Sequence, residues 1–226
     1  MKKMQNTIYK ISEATNTVTN IDELYRSIHS IIAELMPAKN LFIAHYDETT
    51  STLSFPYYID EFDSPPAPRV MGRGMTEYVI RTGKSLLIYP NEFQELIRSG
   101  EVEEIGSDSF DWLGVPLKIR DKIVGAIVVQ SYTENIGYNE EDKNMLTFVS
   151  EQVAMAIERR RTEESLRKSE ANVLSIIENT SDMIWSIDTE YRIVAMNSTF
   201  KEMQKKLFGI DLQIGMHKLE VLPPEL

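Results

Sequence analysis

The chain has 226 residues, is 42% hydrophobic and 26% charged, and carries a net charge of −11 with no cysteine at all. That length predicts one domain of about 150 residues with a smaller remainder, and the composition is that of a globular protein, not a disordered or collagen-like one. The absence of cysteine excludes disulfides, thiolate metal sites, iron–sulfur clusters and a cysteine nucleophile, while the acidic balance disfavours phosphate backbones as partners.

The opening residues Lys2 and Lys3 are followed by Gln5, Asn6 and Thr7, so no signal-peptide apolar region forms, and the longest apolar run, 123–129, is too short to span a bilayer. A soluble, cytoplasmic chain is expected, without membrane or nucleic-acid contact, whose partners are proteins or small molecules. Ile8, Ile11, Thr15 and Val18 recur at helical spacing, which predicts a short amphipathic helix over 5–18. Asn20 and Glu23 form a capping box for a second helix, whose stripe of Leu24, Ile28, Ile31, Ile32 and Leu35 ends before Pro37. Runs 41–46 and 53–59 read as strands joined by the hairpin loop 47–51. After a proline-rich loop over 61–68, Gly72-Arg73-Gly74 opens a helix over 75–82 that Gly83 ends. A short strand over 86–89 follows, then a helix over 92–98 capped by Asn91, then a polar stretch over 100–111 with no period.

Residues 112–131, WLGVPLKIRDKIVGAIVVQS, hold the clearest strand pair. Val115, Leu117 and Ile119 alternate with Pro116 and Lys118, so the first strand is expected to keep one face partly open. Residues 123–129 are apolar everywhere except Gly125, which demands cover on both faces. Each Val or Ile side chain buried here contributes roughly 1.5–3 kcal/mol before entropy is counted, so this hairpin is the expected nucleus of the core. Asn139 then caps a helix with Glu140, Glu141 and Asp142 in its first turn and Met145, Leu146, Phe148, Val149, Val153, Ala156 and Ile157 on its buried face. From 158 to 170 the helix becomes almost wholly charged, with Glu163 to Arg167 and Glu164 to Lys168 as ion pairs four residues apart. Apolar residues return at Leu166, Val173, Leu174, Ile176 and Ile177, and a second hairpin over 183–187 and 191–196 precedes a helix over 198–207 that stops at Gly209.

The order L-G-V-P-L at 113–117, a short turn, I-V-G-A-I-V-V at 123–129, a polar break and an acidic helix start resembles a GAF domain. The resemblance implies an α+β fold over 1–160, a central antiparallel sheet flanked by helices, and a ligand pocket beneath a mobile lid at about 90–111. The second hairpin and its helix, over 180–226, resemble the opening of a PAS domain, and the charged helix over 161–179 resembles a connector between two sensory domains. Such an arrangement looks like the non-catalytic input region of a prokaryotic histidine kinase, with a diguanylate cyclase or a transcription regulator as the alternative parent. A helix that projects beyond its domain is marginal alone, so a homodimer is expected through Val149, Val153, Ala156, Leu166, Val173 and Ile177. A two-stranded hairpin is equally marginal, so residues 183–196 are expected to dock on the connector or pair with a second chain.

Tyr57, Thr76 and Trp112, with Tyr46 and Phe110, are the candidate pocket residues, because aromatic and polar groups together suit a planar small molecule. Trp112 either senses lid closure or fills the core beside Pro116. GAF domains that bind a bilin covalently, and those that reduce methionine sulfoxide, work through cysteine, so neither chemistry is expected. The asparagine-lysine-x-aspartate-glutamate pattern of cyclic-nucleotide GAF domains is also missing; Tyr138 to Asp142 reads as a helix start. A non-covalent ligand and an empty interaction module both remain open, as does an enzyme built on Tyr57 or Trp112. Of the three histidines, His29 is placed on the polar side of its helix, His217 in an irregular tail, and His45 facing a core or pocket in a structural role. No metal site is expected, and Gly72-Arg73-Gly74 is too short for a phosphate loop.

Overall fold

The computed structural model describes residues 2–103, 105, 109, 111–133 and 137–217. It divides into two compact units, Met1–Thr162 and Glu163–Leu226. The first holds α1 (Lys2–Thr17), α2 (Ile21–Ala33), β1 (Asn40–Asp47), β2 (Thr52–Ile59), β3 (Arg69–Val70), α3 (Met75–Thr82), β4 (Leu86–Ile88), α4 (Pro90–Arg98), β5 (Asp111–Ile119), β6 (Lys122–Ser131) and the first part of α5 (Glu140–Asn179). Its six strands form one antiparallel sheet in the order β3-β2-β1-β6-β5-β4. Among the described residues no helix is long and apolar enough to cross a membrane.

Alternation along the central strands sorts side chains to two faces. Leu41 and Ile43 of β1, Leu113, Val115 and Leu117 of β5, and Ile127 and Val129 of β6 pack with Leu24, Ile28 and Ile32 of α2 and Leu146, Val149, Val153 and Ile157 of α5. Phe42 and Ala44, Trp112, Ala126 and Val128 turn to the other face, where Val79 and Ile80 of α3 meet them. The first strand of the hairpin is therefore not half open, as its alternation suggests. Residues 112–117 are buried throughout, because α3 and the ring of Trp112, folded over Gly114, cover the second face.

Local chemistry explains several element ends. Asn20 Oδ1 accepts from Glu23 N at 2.9 Å, but the Glu23 carboxylate reaches back to N and Oγ1 of Thr19, both at 2.9 Å, so the box closes one residue earlier than expected and gains a second donor. At α5 Asn139 Oδ1 accepts from the amides of Glu141 and Asp142, and Asp142 accepts from Asn139 N at 3.0 Å. Helix α4 is capped by Tyr89, not Asn91, because Glu92 accepts from the Tyr89 amide at 3.3 Å; β4 ends a residue early for the same reason.

Helix α5 runs unbroken for 40 residues. Val149, Val153 and Ala156, expected at a dimer seam, are buried in the core of the first unit at 0%, 0% and 6% exposure, so the sheet has already taken that stripe. Near the end of this unit Arg160 Nη2 donates to the Val18 carbonyl at 2.7 Å and Arg161 Nη2 to Tyr25 Oη at 3.2 Å, which ties α5 to the first two helices.

In the second unit β7 (Trp185–Ile187) and β8 (Ile193–Met196) pair antiparallel and α6 (Ser198–Phe208) follows. Asn197 is fully buried and organises the unit: its Oδ1 accepts from the amides of Ile184 and Phe200, and its Nδ2 donates to the carbonyls of Ile177 and Asp182. The hairpin is thus docked on the end of α5 and, through Ile193, Phe200 and Leu212, on α6. Trp185 stacks on Phe200 with centroids 5.4 Å apart.

Two outcomes follow from the central strands. A Cβ on Gly125 would sit 2.0 Å from the Ala44 carbonyl oxygen, a backbone atom that cannot yield. Gly125→Ala should lower stability by about 3 kcal/mol or more in chemical denaturation, at the upper end of overpacking costs; an unchanged midpoint would refute this packing. His45, half-buried on β1 beside Arg161, is pushed down from 6.5 to about 4, first by burial and then by that guanidinium. Between those pH values the unfolded chain binds a proton that the folded chain refuses, so stability should fall as pH drops from 6.5 towards 4. His45→Gln should make the fall shallower when urea midpoints at about pH 7 and about pH 4.5 are compared; identical pH dependence in both proteins would show His45 titrates normally.

Candidate functional site

The layer covering the second sheet face is incomplete. It leaves a cavity of about 220 Å³ lined by Phe42, Phe55 and Tyr58 from β1 and β2, Trp112 and Gln130 from β5 and β6, Arg69 from β3, Met75, Thr76 and Glu77 from α3, and Phe93 from α4. Asp63, Ser64, Pro66, Gly74, Glu103, Ile105 and Ser109 complete the lining. Phe42 and Tyr58 lie nearly parallel, with centroids 5.1 Å apart and planes at 19°, while Phe55 stands edge-on to both.

Of the expected pocket residues, Thr76 and Trp112 are at the cavity wall. Tyr57 is not. It lies on the opposite face, its Oη 2.7 Å from Nδ1 of His29, whose Nε2 is 2.5 Å from the Ala38 carbonyl. The cause is a bulge in β2. Ile43 pairs with Tyr57 and His45 with Ser54, so three steps on β2 match two on β1; strict alternation fails there, and Tyr58 takes the cavity face instead. The same contact corrects His29, which is half-buried with both ring nitrogens engaged. Tyr46 lines a separate, larger and more open groove of about 1020 Å³ with Met71, Ile80, Lys122 and Ile123. Phe110, and residues 104 and 106–108 of the expected lid, lie outside the described residues.

Sequence reasoning missed the charged pair on the cavity wall. Glu77, in the first turn of α3, has a side chain only 1% exposed. Its Oε1 accepts from Nε and Nη2 of Arg69 at 3.2 and 2.9 Å, and the Arg69 guanidinium lies 5.3 Å from the Phe55 centroid. The glycine at 74 makes room for the carboxylate: a Cβ there would come within 2.7 Å of Glu77 Oε2 and push it aside. The Gly72-Arg73-Gly74 sequence is thus a cradle for a carboxylate, and the glycine pair three residues before a glutamate in a helix's first turn was the available signal.

Along the same wall the Tyr58 hydroxyl is pushed up to about 12, first by burial and then by Asp60 and Asp63. Asp60 is held by Tyr132 Oη at 3.0 and 3.1 Å and by Gln130 Nε2 at 2.5 Å, which fixes the Gln130 amide at the cavity edge. Burial and the Asp60 hydrogen bond raise the Tyr132 hydroxyl too, so both phenols are donors at neutral pH. Among the described residues no group of three or more His, Asp or Glu side chains could hold a metal ion. What the cavity offers is aromatic walls, one ion pair and a few fixed hydrogen-bonding groups, an arrangement suited to holding a small molecule by shape and polarity.

Comparison with known proteins agrees with this architecture. The fold is similar to the GAF domain of a phosphoenolpyruvate-protein phosphotransferase from Acinetobacter, at a TM-score of 0.57 and 14% identity over 72% of this chain and 97% of that one. It is similar to free methionine-R-sulfoxide reductase from Neisseria meningitidis, solved with its substrate, at 0.55 and 13% over 71% and 91%. It is also similar to residues 122 to 287 of a methyl-accepting chemotaxis protein, at 0.52 and 17% over 67% and 97%. At these identities the likeness shows the fold alone. No curated protein matches the chain in sequence. Residues 18–158 match the family model described as GAF domain, from just before α2 to the middle of α5, and with it the whole sheet and the cavity; the chain belongs to the GAF domain family.

Proposed function

We propose that the chain is a cytoplasmic, non-catalytic sensory input region of a prokaryotic signalling protein, most simply a histidine kinase, and that its GAF cavity takes a non-covalent small molecule. The observation that carries the ligand reading is the cavity itself, walled by Phe42, Tyr58 and Trp112 around the Arg69–Glu77 pair. With no cysteine in the chain, a covalently bound bilin and thiol-based sulfoxide reduction have no attachment point. Residues 180–226 serve as the opening of a PAS domain and α5 as the connector.

The dimer seam is revised by burial. Phe148, Met155, Leu166, Val173 and Ile176 are exposed at 47%, 47%, 59%, 51% and 71% and fall on one heptad seam, as d, d, a, a and d. A second copy of this chain is the proposed occupant, because a charged helix over 158–170 needs a partner to stay helical. Light scattering at micromolar concentration should give twice the chain mass, and Leu166→Glu with Val173→Glu should return the monomer. A wild-type monomer, or a double variant that stays dimeric, would remove this seam. For the ligand, native mass spectrometry of the gently purified chain should show an added small-molecule mass that is lost on denaturation. The bare chain mass in every preparation would favour the interaction module with an empty pocket.

A further inference from the structure

The open stripe of α5 carries a pattern beyond its apolar residues. Continuing the heptad through it puts Met145, Gln152, Arg159, Leu166 and Val173 at a, and Phe148, Met155, Thr162, Ser169 and Ile176 at d. Met145 and Gln152 are half-buried and the rest are exposed, so the chain does not cover this stripe itself. From 145 to 159 the seam runs apolar, apolar, polar, apolar, polar; from 162 to 176 it runs polar, apolar, polar, apolar, apolar. The second half mirrors the first about a point between Arg160 and Arg161. A surface that matches its own mirror image is what an isologous contact requires, in which residue i of one copy meets j of the other and j meets i.

Two copies of the helix laid in opposite directions about that point bring each a residue level with a d residue of the other. Met145 meets the partner's Ile176, Phe148 the partner's Val173 and Met155 the partner's Leu166, while Gln152 meets the partner's Ser169 and Arg159 the partner's Thr162. Apolar layers are all apolar, and polar layers are all polar. The register is specific. Sliding one copy by a heptad sets Leu166 on the partner's Thr162 and Gln152 on the partner's Ile176; sliding it the other way sets Arg159 on the partner's Met155 and Met145 on the partner's Ser169. A parallel pair also stacks like on like, but it stacks Arg159 on the partner's Arg159 within the seam. It further sets Glu158 at g opposite the partner's Glu163 at e, so both contacts repel. The antiparallel pair separates the arginines and places Glu158 opposite the partner's Ser165.

We infer that a second copy of this chain lies antiparallel along α5, with its two-fold axis between Arg160 and Arg161. This rests on the reading of α5 as a dimer seam. The pairing leaves the two copies of Asn179 about 55 Å apart along the axis, so an output that needs the segments after α5 side by side is held off by it. The chain has no cysteine, so Ala171→Cys, exposed at f on the outer side of the helix, carries one nitroxide per copy. In the antiparallel pair the partner's residue 171 is level with Ser150, about 31 Å along the axis at about 1.5 Å per residue. In a parallel pair the two labels are level with each other, within about 20 Å, the width of two helices. Pulsed dipolar spectroscopy on the full chain should therefore give a main distance above about 30 Å. A main distance of about 20 Å or less would overturn the orientation and leave the dimer seam standing. No dipolar distance, with a monomer mass in light scattering, would remove both. The pairing of 155 with 166 is checked by Met155→Glu and Leu166→Lys on separate chains. Each variant alone should be monomeric, and an equimolar mixture should regain the dimer mass; a mixture that stays monomeric would overturn the antiparallel register.

Discussion

Strand β6 is buried at every residue from Gly125 to Ser131, and a strand with no face for water must have a layer on each side. One layer is complete: α1, α2 and α5 lay a continuous apolar surface on β1, β5 and β6. Among the described residues the other is built from two short helices, α3 and α4, and irregular chain, which do not close over the sheet. The cavity is what remains open between a sheet that demands cover and a cover too small to supply it. Its polar content follows from the same geometry. To cap the sheet, α3 starts directly over it, and that puts the first-turn Glu77 inside, where Arg69 on β3 is the one cation among the described residues that answers its charge.

The regular parts of this architecture were legible in the sequence. The apolar stripe of α2, the Asn139 cap and the two-sided apolar run of β6 each report a local rule that tertiary structure does not override. The misses have physical causes. Tyr57 was chosen for the pocket by its aromatic and polar character, which cannot see a bulge, and the extra step between Ser54 and Tyr57 turns every later residue of β2 over. Val149, Val153 and Ala156 were assigned to a dimer because an apolar helix stripe does not say whether its partner is a sheet or another helix. Arg69 and Glu77 went unseen because they are eight residues apart, in different elements, and meet only once the prolines of 61–68 have led the chain across the sheet.

Helix α5 links these observations to function. Its first half is part of the complete layer, where Leu146, Val149 and Val153 are wholly buried, and it continues through a charged stretch to Asn179. A change in how the cavity side packs on the sheet is therefore adjacent, through the strands, to the helix that leaves the domain, with Arg160 and Arg161 fixing its last turn there to Val18 and Tyr25. This is spatial adjacency, and its use as a signal requires two arrangements of α5 that ligand binding biases.

The buried Arg69–Glu77 pair acts as a unit that holds the second layer. A double-mutant cycle of Arg69→Met and Glu77→Leu, read by chemical denaturation, tests it directly. Each single change should destabilise the chain by about 2–4 kcal/mol, because it leaves one charge without its partner, with Arg69 set at the lower end by its partial exposure. The double variant should recover much of that loss, giving a coupling of about 2 kcal/mol or more. Additive effects of the two changes would contradict the account, since they would mean that Arg69 and Glu77 do not interact in the folded protein.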